Sequence, residues 1–142
     1  MDVQLSPHFK QREFACKCGC GFNVVDQRLV DGLELMRERI GHPIILTCGC
    51  RCLKHNAAVG GVPTSYHLQG MAADITCPSI PLRDLYKIAF RSRFGDGGIG
   101  LYPDKHFIHV DVGPRREWGE IIDSNGKCKR CTLDEALKKC LV

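Results

Sequence analysis

His106-Phe107-Ile108-His109-Val110-Asp111-Val112-Gly113 alternates as a strand does, with Ile108, Val110 and Val112 on one side and His109 and Asp111 on the other. Such a strand sends its aliphatic residues into a core and presents two polar side chains to a cleft. The earlier stretch Ser65-Tyr66-His67-Leu68-Gln69-Gly70-Met71-Ala72-Ala73-Asp74-Ile75 repeats the pattern, because Asp74 points away from Ala73 and Ile75. Two neighbouring strands would then aim Asp74 and His109 at one point, with His67 joining from the loop before. The expected fold is α+β: a single domain in which a small antiparallel sheet is flanked by helices.

Working outward, Asp26 to Ile40 reads as a helix whose apolar stripe is Leu29, Val30, Leu33, Met36 and Ile40, ended by Gly41-His42-Pro43. A strand follows through Thr47. Residues 49–66 read as a long loop, unusual in a compact domain and hence functional in expectation. Ser79 to Arg93 reads as a second helix with Pro81 near its start, and Gly95 to Gly100 as a turn into a short strand. Thr132-Leu133-Asp134-Glu135 is a capping-box sequence that opens a final short helix.

Two imidazoles and a carboxylate, His67, Asp74 and His109, suit a catalytic zinc ion, which takes three protein ligands and leaves a position open. Asp74 inside Met-Ala-Ala-Asp-Ile would cost several kcal/mol to bury unpaired, so it asks for a cation. Zinc activates water and polarises a peptide carbonyl, and a base near it must carry the proton. His106 titrates in the right range for that task. It can join His109 only from a loop or bulge, since positions three apart on a regular strand face opposite sides. Asp111, on the face of His109, is the alternative base, or a partner that orients a ligand imidazole.

The order Thr47-Cys48-Gly49-Cys50-Arg51-Cys52, His55-Asn56, Gly60-Gly61, Ser65-x-His67, Gly70-x-Ala72-x-Asp74, Gly97-Gly98-x-Gly100-x-Tyr102-Pro103 and His109-x-Asp111-x-Gly113 resembles the zinc D-Ala-D-Ala carboxypeptidase family. That family includes D-alanyl-D-alanine dipeptidases and phage L-alanyl-D-glutamate endopeptidases. The resemblance runs from about residue 5 to residue 120. It implies zinc held by His67, Asp74 and His109, and an acid/base three residues before the last ligand, here His106. It further implies Arg51 as a fork-shaped donor to a substrate carboxylate or oxyanion; Ser65, two residues before His67, is placed either to donate to substrate or to shape the loop. The chain departs from many relatives at Cys48 and Cys50, where those carry a small polar residue and an aromatic. The implied activity is hydrolysis of peptidoglycan stem peptides, carboxypeptidase-like, with a phage-type endopeptidase or a non-catalytic wall- or partner-binding module as alternatives.

With 142 residues, the chain has length for one core. Residues 1–120 are expected to form the zinc peptidase domain and 121–142 a Cys-containing C-terminal tail. A net charge of +4 suits an anionic wall but forms no basic stripe for nucleic acid. No stretch approaches the roughly 20 apolar residues of a membrane span. Met1 to Pro7 has neither a basic n-region nor an apolar h-region, so synthesis in the cytoplasm, action at the cell wall and a monomeric state are the expectations. The 10 cysteines cluster as Cys16-x-Cys18-x-Cys20, Cys48-x-Cys50-x-Cys52, Cys77, Cys128-x-x-Cys131 and Cys140. Three outcomes stand open for them: disulfides, free thiols, or a second, structural zinc between Cys128, Cys131 and two thiols of the first cluster. A zinc-ribbon module would explain Cys128 and Cys131 but leave His67, Asp74 and His109 without purpose. A nucleobase deaminase is excluded, since the chain lacks His-x-Glu and Pro-Cys-x-x-Cys.

Overall fold

A computed structural model describes residues 2–140. Gln4–Ser6 (β1) and Phe9–Lys10 (β2) form a small antiparallel pair. It is latched to the first helix, Gln27–Ile40 (α1), through the buried Glu34, which accepts from Ser6 Oγ at 2.7 Å and from the His8 amide at 2.8 Å. Asp26 caps α1 by accepting from the Arg28 amide, and Gly41 ends it in the left-handed region at φ 74. Leu29, Val30, Leu33 and Met36 are fully buried, and Ile40 packs at the core's margin.

The remaining elements are Ile45–Cys48 (β3), Leu53–Ala58 (α2), Ala72–Thr76 (β4), Leu82–Phe90 (α3), Gly98–Tyr102 (β5), Phe107–Asp111 (β6), Arg116–Ile122 (β7), Cys128–Cys131 (β8) and Leu133–Lys139 (α4). They build one sheet of six strands in the order β3-β4-β6-β5-β7-β8. The architecture is α+β, as expected, but the sheet is larger than a small antiparallel one and contains a parallel pair, β5 with β7. One residue from each of five strands falls in a single transverse row: Cys48 opposite Asp74, Asp74 opposite His109, His109 opposite Gly100, and Gly100 opposite Trp118. The next row, Leu46, Ile75, Ile108 and Leu101, faces the opposite side and is buried under the helices. Period-two alternation therefore separates a hydrophobic core from a polar face.

Three expectations need correction. The long loop over 49–66 contains α2, which Cys52 caps by accepting from the His55 amide at 3.3 Å; cysteine is not a usual capping residue, so the start signal was absent. The second helix is shorter than Ser79 to Arg93, because Pro81 sits at its cap and a separate 3-10 turn, Arg93–Asp96, follows. Residues 121–142, expected as an appended tail, supply the sheet's last strand and α4, whose Ala136 is fully buried against Gly119; residues 141–142 lie outside the described part. No described helix is long and apolar enough to cross a membrane.

Candidate functional site

His67 rides on a 3-10 turn, Tyr66–Gln69, whose cap is Ser65: the Ser65 hydroxyl accepts from the His67 amide at 3.2 Å. Gly70, left-handed at φ 67, reverses the chain into β4. The turn is bound to the residues after β3 in both directions, with the Arg51 amide donating to the His67 carbonyl at 2.9 Å and His67 Nδ1 lying 2.6 Å from the Gly49 carbonyl. A carbonyl only accepts, so Nδ1 carries the proton and Nε2 is left to face the cleft. That Nε2 lies 3.3 Å from Asp74 Oδ1.

His109 reaches the same oxygen. Its Nδ1 is 3.2 Å from Asp74 Oδ1, while its Nε2 is 2.7 Å from Asp111 Oδ2. Both imidazoles thus have one nitrogen engaged by an acceptor outside the cluster and the other turned to Asp74, the arrangement metal-binding histidines adopt. In a tetrahedral zinc site with bonds near 2.0–2.1 Å, ligand atoms stand about 3.3 Å apart, which is the spacing of each imidazole nitrogen from Asp74 Oδ1. Nitrogen and oxygen donors at this spacing are of the type zinc takes, and His67 and Asp74 also have the Cys48 sulfur within ligand range.

The electrostatics agree. Burial alone would lower the His67 imidazole, yet the Asp74 carboxylate beside it reverses this and pushes it up to about 10. Burial would raise Asp74, but His109 and His67 hold it well below the usual carboxylate range. A cation in the cluster satisfies the same carboxylate without protonating either ring.

Asp111 is fully buried and receives donors on both oxygens: the Gly98 and Gly113 amides at 3.1 and 2.9 Å on Oδ1, with His109 and Arg116 each at 2.7 Å on Oδ2. Burial would raise its carboxyl, and His109 and Arg116 together bring it down to about 2. It grips His109 from behind and does not line the cleft. Arg51 does: its Nη2 lies 3.7 Å from Asp74 Oδ2, Nη1 donates to Asn56 Oδ1 at 3.2 Å, and Nε is 3.3 Å from Cys48 Sγ. His106 stands apart from the cluster. It terminates the 3-10 turn Pro103–Lys105 in the left-handed region at φ 58, exposed, while Lys105 and Phe107 on either side line the cleft.

The cleft encloses about 510 Å³. Trp118 forms one wall, its ring centroid 5.1 Å from that of His109 and its Nε1 donating to the Tyr102 hydroxyl at 3.0 Å. Arg116 and Arg130 lie over the Trp118 ring at 5.5 and 5.1 Å. Gly98 and Gly100 lie opposite Asp111 and His109, and a Cβ on Gly100 would come within 2.5 Å of the Trp118 indole.

Sequence reasoning missed four of these residues. Tyr102, Arg116 and Arg130 join the cleft only through the pairing of β5, β7 and β8, which leaves no local signal. Cys48 lies within ligand range, its sulfur and donor atoms of His67 and Asp74 falling within 4.8 Å of one another. The period-two reading of β3 against β4 could have found it. A second group, Cys16, Cys18, Cys20 and Cys52, gathers at a separate place. Cys128 and Cys131 join no such group among the described residues, so the expected pairing of Cys128-x-x-Cys131 with the first cluster is not what the fold assembles.

A family model described as peptidase M15 matches residues 7–111. The chain is 34% identical over 101 residues to a protein of Escherichia coli (strain K12) named peptidoglycan L,D-endopeptidase MepK, covering 66% of this chain and 54% of that protein. The protein of that name from Shigella flexneri aligns equally well. A probable peptidoglycan L,D-endopeptidase MepK from Haemophilus influenzae is 39% identical over 80 residues, covering 53% of this chain and 42% of its own length. The chain spans about half the length of the curated relatives it matches.

Proposed function

This chain belongs to the peptidase M15 family, and from that premise we propose that it hydrolyses an internal peptide bond of peptidoglycan stem peptides, as a zinc-dependent L,D-endopeptidase acting at the cell wall. The observation that carries the reading is the convergence of His67 Nε2 and His109 Nδ1 on Asp74 Oδ1, each ring fixed from behind by an acceptor. The choice of an endopeptidase over the carboxypeptidase first expected is supported by the names its relatives carry.

His67, Asp74 and His109 would hold the zinc, which when bound supplies Lewis acidity towards the scissile carbonyl and towards water. Asp111 keeps the His109 ring turned so that Nδ1 faces Asp74. Ser65 and Gly49 do the same for His67, one through its amide and the other through its ring. Arg51, the guanidinium beside Asp74, donates to the carbonyl oxygen as that oxygen gains charge. The Trp118 ring walls the cleft on the His109 side, and Arg130 and Lys105 line it together with Glu117 and Glu120, while Arg116 is paired with Asp111.

Incubation of the purified chain and zinc with defined muropeptides, with products identified by mass, tests this. Cleavage at an L,D bond inside the stem is the expected result. Release of terminal D-Ala alone would make it a carboxypeptidase, and intact substrate with zinc bound would make it a binding module.

A further inference from the structure

Four cysteines gather at a second place, one that the peptidase reading does not use. Sγ of Cys16 lies 3.4 Å from that of Cys18 and 3.8 Å from that of Cys52, and Cys18 and Cys52 are 3.7 Å apart. Cys20 completes a set in which all four sulfurs are within 4.8 Å of one another. Four thiolates around zinc, with bonds near 2.3 Å, have sulfurs about 3.8 Å apart. A disulfide needs about 2.05 Å and can join only two of them at a time.

The backbone is arranged to serve sulfur here. The Cys52 amide points at Cys16 Sγ at 3.4 Å, the His55 amide at Cys52 Sγ at 3.3 Å, and the Phe22 amide at Cys20 Sγ at 3.5 Å. N–H groups aimed at sulfur stabilise its anionic form, the form that binds metal. Gly19, at φ 82, lets the chain turn back after Cys18, and the turn closes through the Cys16 amide donating to the Phe22 carbonyl at 2.8 Å. Cys50, two residues before Cys52, is buried and directs its thiol to the Phe22 carbonyl at 3.2 Å, so the fold separates it from the set.

We propose that Cys16, Cys18, Cys20 and Cys52 bind a structural zinc ion as a closed site of four thiolates. Tetrahedral sulfur sites take zinc or iron, and a closed set of four thiolates is a form that structural zinc adopts. Its consequence is positional. Three ligands sit on the segment before α1 and the fourth adjoins Arg51, so the ion would clamp that segment to the loop presenting Arg51 to the cleft. The Cys50 amide, donating to the Phe14 carbonyl at 2.8 Å, and the Cys50 thiol, directed to the Phe22 carbonyl, also tie the two segments.

The assignment does not rest on the peptidase reading, and one set of variants separates the two. By elemental analysis, a Cys18→Ser/Cys20→Ser variant, altered only at exposed side chains, should carry one zinc equivalent fewer than the whole chain purified reduced and without chelator. Replacement by cobalt should give intense sulfur-to-metal charge-transfer absorption that His67→Ala retains and the double variant loses. Should the double variant fail to fold, alkylation of the parent decides: zinc should protect Cys18 and Cys20, and a chelator should expose them. Equal alkylation with and without zinc, a disulfide within the four, iron in place of zinc, or an unchanged cobalt spectrum in the double variant would each overturn the proposal.

Discussion

His109 Nε2 lies 2.7 Å from Asp111 Oδ2, and because a carboxyl group lowered to about 2 is ionised at neutral pH and only accepts, that nitrogen holds the ring proton. The opposite nitrogen is thereby the one presented to Asp74. Asp111→Asn keeps the shape but presents an amide in place of the carboxylate. Zinc affinity should fall about 10- to 100-fold, the usual cost of losing such a partner. Competition with a chelating dye measures this, and unchanged affinity would remove Asp111 from its positioning role.

His67→Ala should lose one zinc equivalent and all hydrolysis while keeping most of the fold, because the buried row Leu46, Ile75, Ile108 and Leu101 lies on the other face of the sheet. Metal content alongside far-ultraviolet circular dichroism checks both halves. Full zinc content with activity would mean the ion sits elsewhere.

His106→Ala should leave turnover far short of the about 10²- to 10⁴-fold loss that removal of a general acid or base produces, since the side chain is exposed and outside the cleft. A loss in that range would show that His106 swings into the cleft when substrate binds, restoring the role that the family resemblance implies for it.

Arg51→Ala should cost about 10²- to 10³-fold in turnover, as expected for a lost oxyanion donor. The loss should be equal on substrates with free and amidated C-termini. A loss confined to free acids would instead mark Arg51 as the receptor of a terminal carboxylate, and the protein as a carboxypeptidase.

Cys48→Ser should keep the catalytic zinc. The sulfur contacts Arg51 Nε and lies 3.7 Å from His67 Nδ1, the nitrogen already committed to Gly49. A drop in zinc stoichiometry would make Cys48 a ligand and the site a closed one.

What could be seen in the sequence was whatever repeats with a short period. The stripe of α1, the alternation of β6 and the aim of Asp74 against His109 all follow from periods of 3.6 and 2. The parallel pairing of β5 with β7 depends on contacts distant along the chain, so Arg116 and Arg130 stayed invisible as cleft residues. His106 was placed by its offset from His109, but the left-handed residue before β6 breaks the strand's alternation there. The cysteines were visible as clusters, yet their partners were not, because Cys52 and Cys16 meet across 36 positions of chain.

The glycines of β5 give this protein a hidden vulnerability. Gly98 and Gly100 carry no reactive group, yet a methyl at Gly98 would collide with the Asp111 carboxylate and one at Gly100 with Trp118. Glycine is a poor strand former, so the sheet gives up local stiffness at its centre to make room for the side chains above. Random mutagenesis scored for lost hydrolysis should therefore recover Gly98 and Gly100 beside the histidines, as silent positions whose missing side chains leave the space the site needs.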